Sequence, residues 1–235
     1  MVKASPGLVP GRVRAHARWA SFGGFALVLT VASAGCAGGP PAGARVPVAT
    51  TAEPMAATAP SHLSVITERD RARLKDWRST LLGAVADART TDGAAIDAGG
   101  VLFQPDAALD GPMPPAGEYS CSVTKLGSGH PGLLHFVAYP AFRCSVTGYP
   151  DGTAAFAKRT GSQRPVGTLY PADPLHAVFL GTLQLSDERA VLPYGRDADR
   201  DLVARVERIG PTRWRMIFPA PTYESITDVI DLVPL

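Results

Sequence analysis

The stretch from Gly161 to Tyr170, GSQRPVGTLY, gathers the side chains best suited to chemistry. Pro165 pushes Arg164 into an extended conformation, and Gly161 and Gly167 permit close backbone approach on either side. A guanidinium held there can grip a carboxylate or phosphate in fork geometry. Ser162 and Gln163 add donors and acceptors, and Tyr170 adds a phenol. The same arginine can instead form an internal ion pair with Glu118 or Glu224, closing one end of a barrel. Arg164, Gln163, Ser162 and Tyr170 are therefore the candidate binding set.

Other constellations are weaker. Asp197, Asp199 and Asp201 form D-x-D-x-D, but a calcium loop needs Gly at position six and Glu at twelve. Those positions hold Leu202 and Arg208, and Arg196 and Arg200 interleave, so the segment reads as a charged turn before a strand. His62, His130, His135 and His176 lack zinc-protease spacing. His135 and His176 fall in strand-like runs and can meet across a sheet. Ser162 stands outside any G-x-S-x-G elbow, and Gly127-Ser128-Gly129 lacks the helix a phosphate loop needs. No catalytic residue, metal site or cofactor is assigned.

These residues must be positioned by strands. Short runs rich in β-branched and aromatic residues recur with turn residues between them. They are Glu118–Leu126, Leu133–Tyr139, Phe142–Thr147, Thr153–Arg159, Val166–Tyr170, His176–Leu185, Leu202–Ile209, Arg213–Phe218 and Ile226–Val233. Alternation places Leu202, Ala204 and Val206 inward with Arg205 and Glu207 outward. It likewise places Trp214, Met216 and Phe218 inward, with Arg213 and Arg215 toward water. Before them, Thr67 and Asp70 suggest a capping box. Leu74, Trp77, Leu81, Val85 and Ala88 then recur at helical spacing, predicting one helix over residues 68–89. Asp92 to Gly117 reads as loop, with a short strand at Val101–Phe103 and a Pro-rich stretch. The fold class is mainly β: an antiparallel curved sheet or barrel of about eight to ten strands with one N-terminal packing helix.

The first 36 residues read as an export signal. Lys3, Arg12, Arg14 and Arg18 precede an apolar run, Phe22–Ala32, too short to span a bilayer. Ala32-Ser33-Ala34 fits ordinary cleavage after Ala34, whereas Ala34-Gly35-Cys36 resembles a lipobox that would leave Cys36 lipidated. Residues 37–60, rich in Gly, Pro, Ala and Thr, form a flexible tether to a single domain over 61–235. Without the four leader cations, the chain has 19 basic against 21 acidic residues. That balance gives no footprint for nucleic acid. With Cys36 committed to the anchor, Cys121 and Cys144 remain and are expected to form a disulfide in an oxidising compartment.

GEYSCSVTKLG, FVAYPAFRC, TGSQRPVGTLYP, VFLGTL, YGRDADRD, VERIGPTRWRM and ES-x₂-DVI-x-L occur in that order. Together they resemble a family of bacterial exported proteins defined by a domain of unknown function, number 4893. The resemblance runs from about Trp77 to the C-terminus and implies export and one domain, but no activity. The functional expectation is a non-enzymatic envelope protein, a tethered binding or structural module in the periplasm or on the periplasmic face of a membrane. Its partners would be the membrane, through an acylated Cys36, and a small ligand or an envelope protein. A protein-docking or inhibitor-like barrel would project Gln104–Gly117 as an exposed arm. A hydrolase with its site near Arg164 is the remaining alternative.

Overall fold

The computed structural model describes residues 59–235; the leader, Cys36 and the tether through residue 58 lie outside the described residues. Nine antiparallel strands follow one another: β1 (Gly117–Ser128), β2 (Phe136–Ala138), β3 (Phe142–Gly148), β4 (Ala154–Lys158) and β5 (Gln163–Pro171). They continue as β6 (Ala177–Leu185), β7 (Asp201–Gly210), β8 (Arg213–Pro219) and β9 (Ser225–Pro234). Strands β3 to β9 pair in sequence, and β9 returns to β1 from Tyr119↔Pro234 to Ser128↔Ser225. This closes an eight-stranded barrel, with β2 added along β1 beyond the point where β3 leaves it. Among the described residues, closure leaves only the three-residue β2 as a sheet edge, so little is exposed that invites pairing with other chains.

The period-2 alternation sends one set of side chains into the barrel. Tyr119, Cys121, Phe156, Leu169, Phe179, Met216, Phe218 and Leu232 belong to a single buried cluster there. Phe179 stands edge-on to both Phe156 and Phe218, with centroids 5.7 and 5.8 Å apart, an arrangement that adds to area burial. Cys121 and Cys144 form a disulfide across β1 and β3 with Cα atoms 5.9 Å apart, entirely buried. Gly167 and Gly181 sit opposite each other in the β5–β6 ladder. A Cβ on Gly181 would lie 2.4 Å from both the Val166 carbonyl oxygen and the Phe179 ring, so only glycine fits that bend.

The outer face carries the helices. Thr67 Oγ1 accepts the amide of Asp70 at 3.2 Å and starts α1 (Glu68–Lys75). The other half of the expected capping box is absent: the Asp70 carboxylate instead accepts the Tyr194 hydroxyl at 2.6 Å, pinning α1 to the β6–β7 loop. Two helices replace the single one expected, because the chain turns at Asp76 and continues as α2 (Trp77–Gly99), kinked at Asp92. Gly93 does not stop it. Ile96 beyond the kink is buried with Leu81, Ala84 and Ala88 against Leu126, Ile217 and Val229 of the barrel, and that burial offsets the local cost of glycine. Val101–Phe103 belongs to a 3-10 turn rather than a strand, with Leu102 and Phe103 completing the same cluster.

This outer layer overturns one expectation from alternation. Arg215 does face away from the barrel interior, but it is wholly buried beneath α2 and the 3-10 turn. Its guanidinium donates to Glu207 at 2.6 and 2.9 Å, and to the carbonyls of Val101, Leu102 and Pro105 at 2.8–3.2 Å. Arg205 pairs with the other Glu207 oxygen and stacks 4.4 Å over the Trp77 ring. Burial pushes the Arg215 pKa down, against the pull of Glu207.

The Pro-rich segment does not project as an arm. Leu109 bridges to Arg208, and the Gly111 amide donates to the Pro174 carbonyl at 3.1 Å. The Tyr119 hydroxyl donates to the Pro115 carbonyl at 2.6 Å. Pro112 and Pro114 are buried and Met113 packs on the interior cluster. Since Arg208, Pro174 and Tyr119 all lie at the same end of the strand register, this segment plugs that end. Burial of apolar rings outweighs solvent exposure of a stretch that cannot join a ladder.

Candidate binding site at the barrel mouth

The end opposite the plug is open. It is ringed by the β1–β2, β4–β5, β6–β7 and β8–β9 connections. A cavity of about 230 Å³ enters here, walled by Val123, Phe142, Leu183, Leu202, Phe218 and Ile230. Tyr139 and Tyr223 stand at its rim, and a shallower groove continues past Thr222 to His130 and Leu133.

Charged side chains occupy inward positions at this end. On β1 the inward series Tyr119, Cys121, Val123 ends in Lys125, and on β4 Ala154 and Phe156 are followed by Lys158. On β9, Asp228 precedes Ile230 and Leu232. Lys125 Nζ lies 3.0 Å from Asp228 and 3.2 Å from Glu224. Burial works against the Lys125 ammonium, but Asp228 and then Glu224 more than offset it, and its pKa rises. Desolvation pushes the Asp228 carboxyl up, opposed by Lys125 and by the Ser225 hydroxyl.

Lys158 is held differently. It is 4% exposed, and its Nζ donates to the carbonyls of Thr160 and Gln163 at 2.8 and 2.9 Å. The same nitrogen sits 3.5 Å over the Phe142 ring, a favourable cation–π placement. Among the described residues it has no carboxylate within ion-pair distance; the paired lysine of the mouth is Lys125. Desolvation, with the positive charges of Arg164 and Lys125 behind it, lowers its pKa from 10.5 to about 8. The inner mouth thus carries two ammonium groups, Lys125 and Lys158, and one carboxylate, Asp228; Glu224 reaches in from the rim.

The four residues singled out from the sequence are divided by the fold. Ser162 and Gln163 line the mouth cavity. Arg164, one position on, points to the outer face. Its guanidinium donates to the carbonyls of Gly161 and Ser186 at 3.0 and 2.7 Å, with Gln184 alongside. It closes the β4–β5 turn on the β6–β7 loop, and neither Glu118 nor Glu224 is its partner. Tyr170 also faces outward, against Ile66 and Val178. Period-2 geometry is the reason: neighbours in a strand cannot share a face. His135 and His176 do not meet. His135 Nδ1 is 2.7 Å from Asp87 on α2, and His176 pairs with Asp173 in its own turn. Among the described residues no group of three His, Cys, Asp or Glu side chains is arranged to hold a metal. Asp201 of the D-x-D-x-D run accepts the Gly195 amide at 2.9 Å and ends the loop instead.

Sequence reasoning missed Lys125, Lys158 and Asp228. The available signal was a charge on the inward parity of a strand, a position that otherwise takes apolar residues.

The family model for the domain of unknown function DUF4893 matches residues 63–232, and the chain belongs to that family. No curated protein and no solved structure matches it.

Proposed function

We propose that this DUF4893 barrel is an exported, tethered binding module that takes a small amphipathic molecule into its mouth, with the acid group on the lysines there and the apolar part against the deeper walls. The observation that carries the reading is Lys158, a buried ammonium on a largely apolar cavity with no carboxylate of its own. A buried charge without a partner is costly, and a ligand anion would supply the missing counter-charge. The apolar walls would accept the remainder of the ligand, and concave apolar sites with a few polar groups are where small molecules bind. With the opposite end plugged, the mouth is where such a ligand would enter.

Export rests on the charged leader and its short apolar run. A buried disulfide is also the kind of crosslink that persists in oxidising compartments. Acylation of Cys36 would hold the barrel at a membrane surface through residues 37–60. A mature N-terminus lacking an acyl mass rules out that anchor.

The binding reading is tested by titrating the full chain with octanoate, phenylacetate and acetate, followed by two-dimensional NMR and calorimetry. Octanoate and phenylacetate are expected to shift resonances of mouth residues saturably, and acetate far less. Filling the cavity with Leu183→Trp is expected to abolish the effect. Binding that survives in the Trp variant, or no saturable shift with any of the three, refutes the reading.

A further inference from the structure

Lys125 is held by two carboxylates that differ in kind. Asp228 comes from the same strand ladder, opposite Lys125 in the β1–β9 register, and is fixed by Ser225. Glu224 comes from the β8–β9 turn, and its side chain remains 45% exposed. Its second oxygen accepts from Gln163 Nε2 at 3.4 Å. Gln163 begins β5, across the opening from β1 and β9. Glu224 therefore spans the mouth, with one oxygen on each side of the entrance.

The turn that carries it is not at rest. Ala220 and Glu224 both lie in the left-handed region, with φ of 45° and 72°, and neither is glycine. Such residues cost about 1 kcal/mol each and persist where surrounding contacts hold them. The turn is anchored by the Gly129 amide on the Glu224 carbonyl at 3.0 Å and by the Ala220 amide on the Ile226 carbonyl at 3.0 Å. Between these anchors Pro221, Thr222 and Tyr223 all line the cavity.

We infer that Glu224 is a built-in stand-in for the ligand's acid group: an entering carboxylate, drawn in by the unpaired Lys158, takes the place of Glu224 on Lys125, and the 220–224 turn releases the mouth. The inference rests on the proposed binding function and assigns its regulation and its preference for carboxylates. The exchange conserves charge, because one carboxylate leaves Lys125 as another arrives. Asp228 keeps its place throughout, since it has no comparable exposure and is tied by Ser225. Selectivity follows directly. A neutral amphiphile of the same length cannot displace Glu224 and gains nothing from the exchange.

Glu224→Gln keeps the shape and the contact to Gln163 but removes the competing charge. The full chain carrying it is expected to bind octanoate about fivefold more tightly than wild type, the scale of one rim ion pair. Octanamide binding is expected to be unchanged. Asp199→Asn, which removes a rim charge that does not touch Lys125, separates displacement from long-range repulsion and is expected to leave octanoate binding unchanged. The proposal is overturned if wild type binds octanoate while Glu224→Gln binds it equally or more weakly. It is also overturned if Asp199→Asn tightens binding as much, or if octanamide gains alongside octanoate. Failure of both wild type and Glu224→Gln to bind octanoate at the mouth removes the binding reading and this inference together.

Discussion

Replacing Lys158 by methionine keeps most of the side chain's length while deleting its charge. In the folded protein that ammonium has a pKa lowered from 10.5 to about 8, chiefly by desolvation. The unfolded chain restores the ordinary value, so between those two pKa values the unfolded state holds the proton that the folded state has released. Folding stability must then rise with pH across this window, the penalty being complete below about pH 8 and gone above about pH 10.5. Between about pH 7 and about pH 9.5 the linkage amounts to about 2 kcal/mol for a dry site. Water entering the open mouth screens part of it, leaving about 1 kcal/mol. Methionine cannot titrate. The two carbonyls it leaves unserved, at Thr160 and Gln163, lie on a turn that water reaches, so their loss is modest. Urea denaturation of both proteins at both pH values isolates the effect, because other titrating groups cancel in the difference. Wild type should gain about 1 kcal/mol on the variant as pH rises, and the variant should equal or exceed wild type near pH 7. A difference that does not change with pH, or that moves the other way, would refute the account of Lys158 as a strained, unpaired charge.

Two further perturbations probe the scaffold. Arg215→Met is expected to cost about 3–5 kcal/mol in urea unfolding, because it leaves the buried Glu207 with Arg205 alone and takes the donor from the Val101, Leu102 and Pro105 carbonyls. Adding Glu207→Leu should recover part of that loss, and a double variant as unstable as the sum of the singles would show that the pair is not coupled. Gly181→Ala places a methyl 2.4 Å from the Val166 carbonyl and should lower stability by about 1–3 kcal/mol; a variant melting at the wild-type temperature would mean the β5–β6 approach is looser than described.

Much of the barrel is legible in the chain because strands announce themselves locally. Apart from Val101–Phe103, each predicted run coincides with a strand to within a few residues, from Glu118–Leu126 inside β1 to Ile226–Val233 inside β9. Turn residues mark their ends. Gly167, read from the sequence as permitting close backbone approach, stands opposite Gly181 in one ladder. Where the reading failed, the cause was burial supplied by distant segments. Gly93 and the Asp92 kink read locally as a helix end, and only the packing of Ile96 on the barrel carries α2 to Gly99. Arg215 has the parity of a solvent-facing residue and is solvent-free because another layer covers that face.

The sequence by itself determined the β-rich class, the strand boundaries, the crosslinking cysteines and the helix start at Thr67, since each depends on spacing along the chain. Tertiary structure alone decided that β9 closes onto β1, that the proline segment plugs one end and that Lys125, Lys158, Asp228 and Glu224 converge at the other. Those residues are up to 103 positions apart at the Lys125–Asp228 contact. No local pattern encodes such a meeting. Strand order and register decide it, and they are settled only when the whole sheet curls until its first and last strands pair.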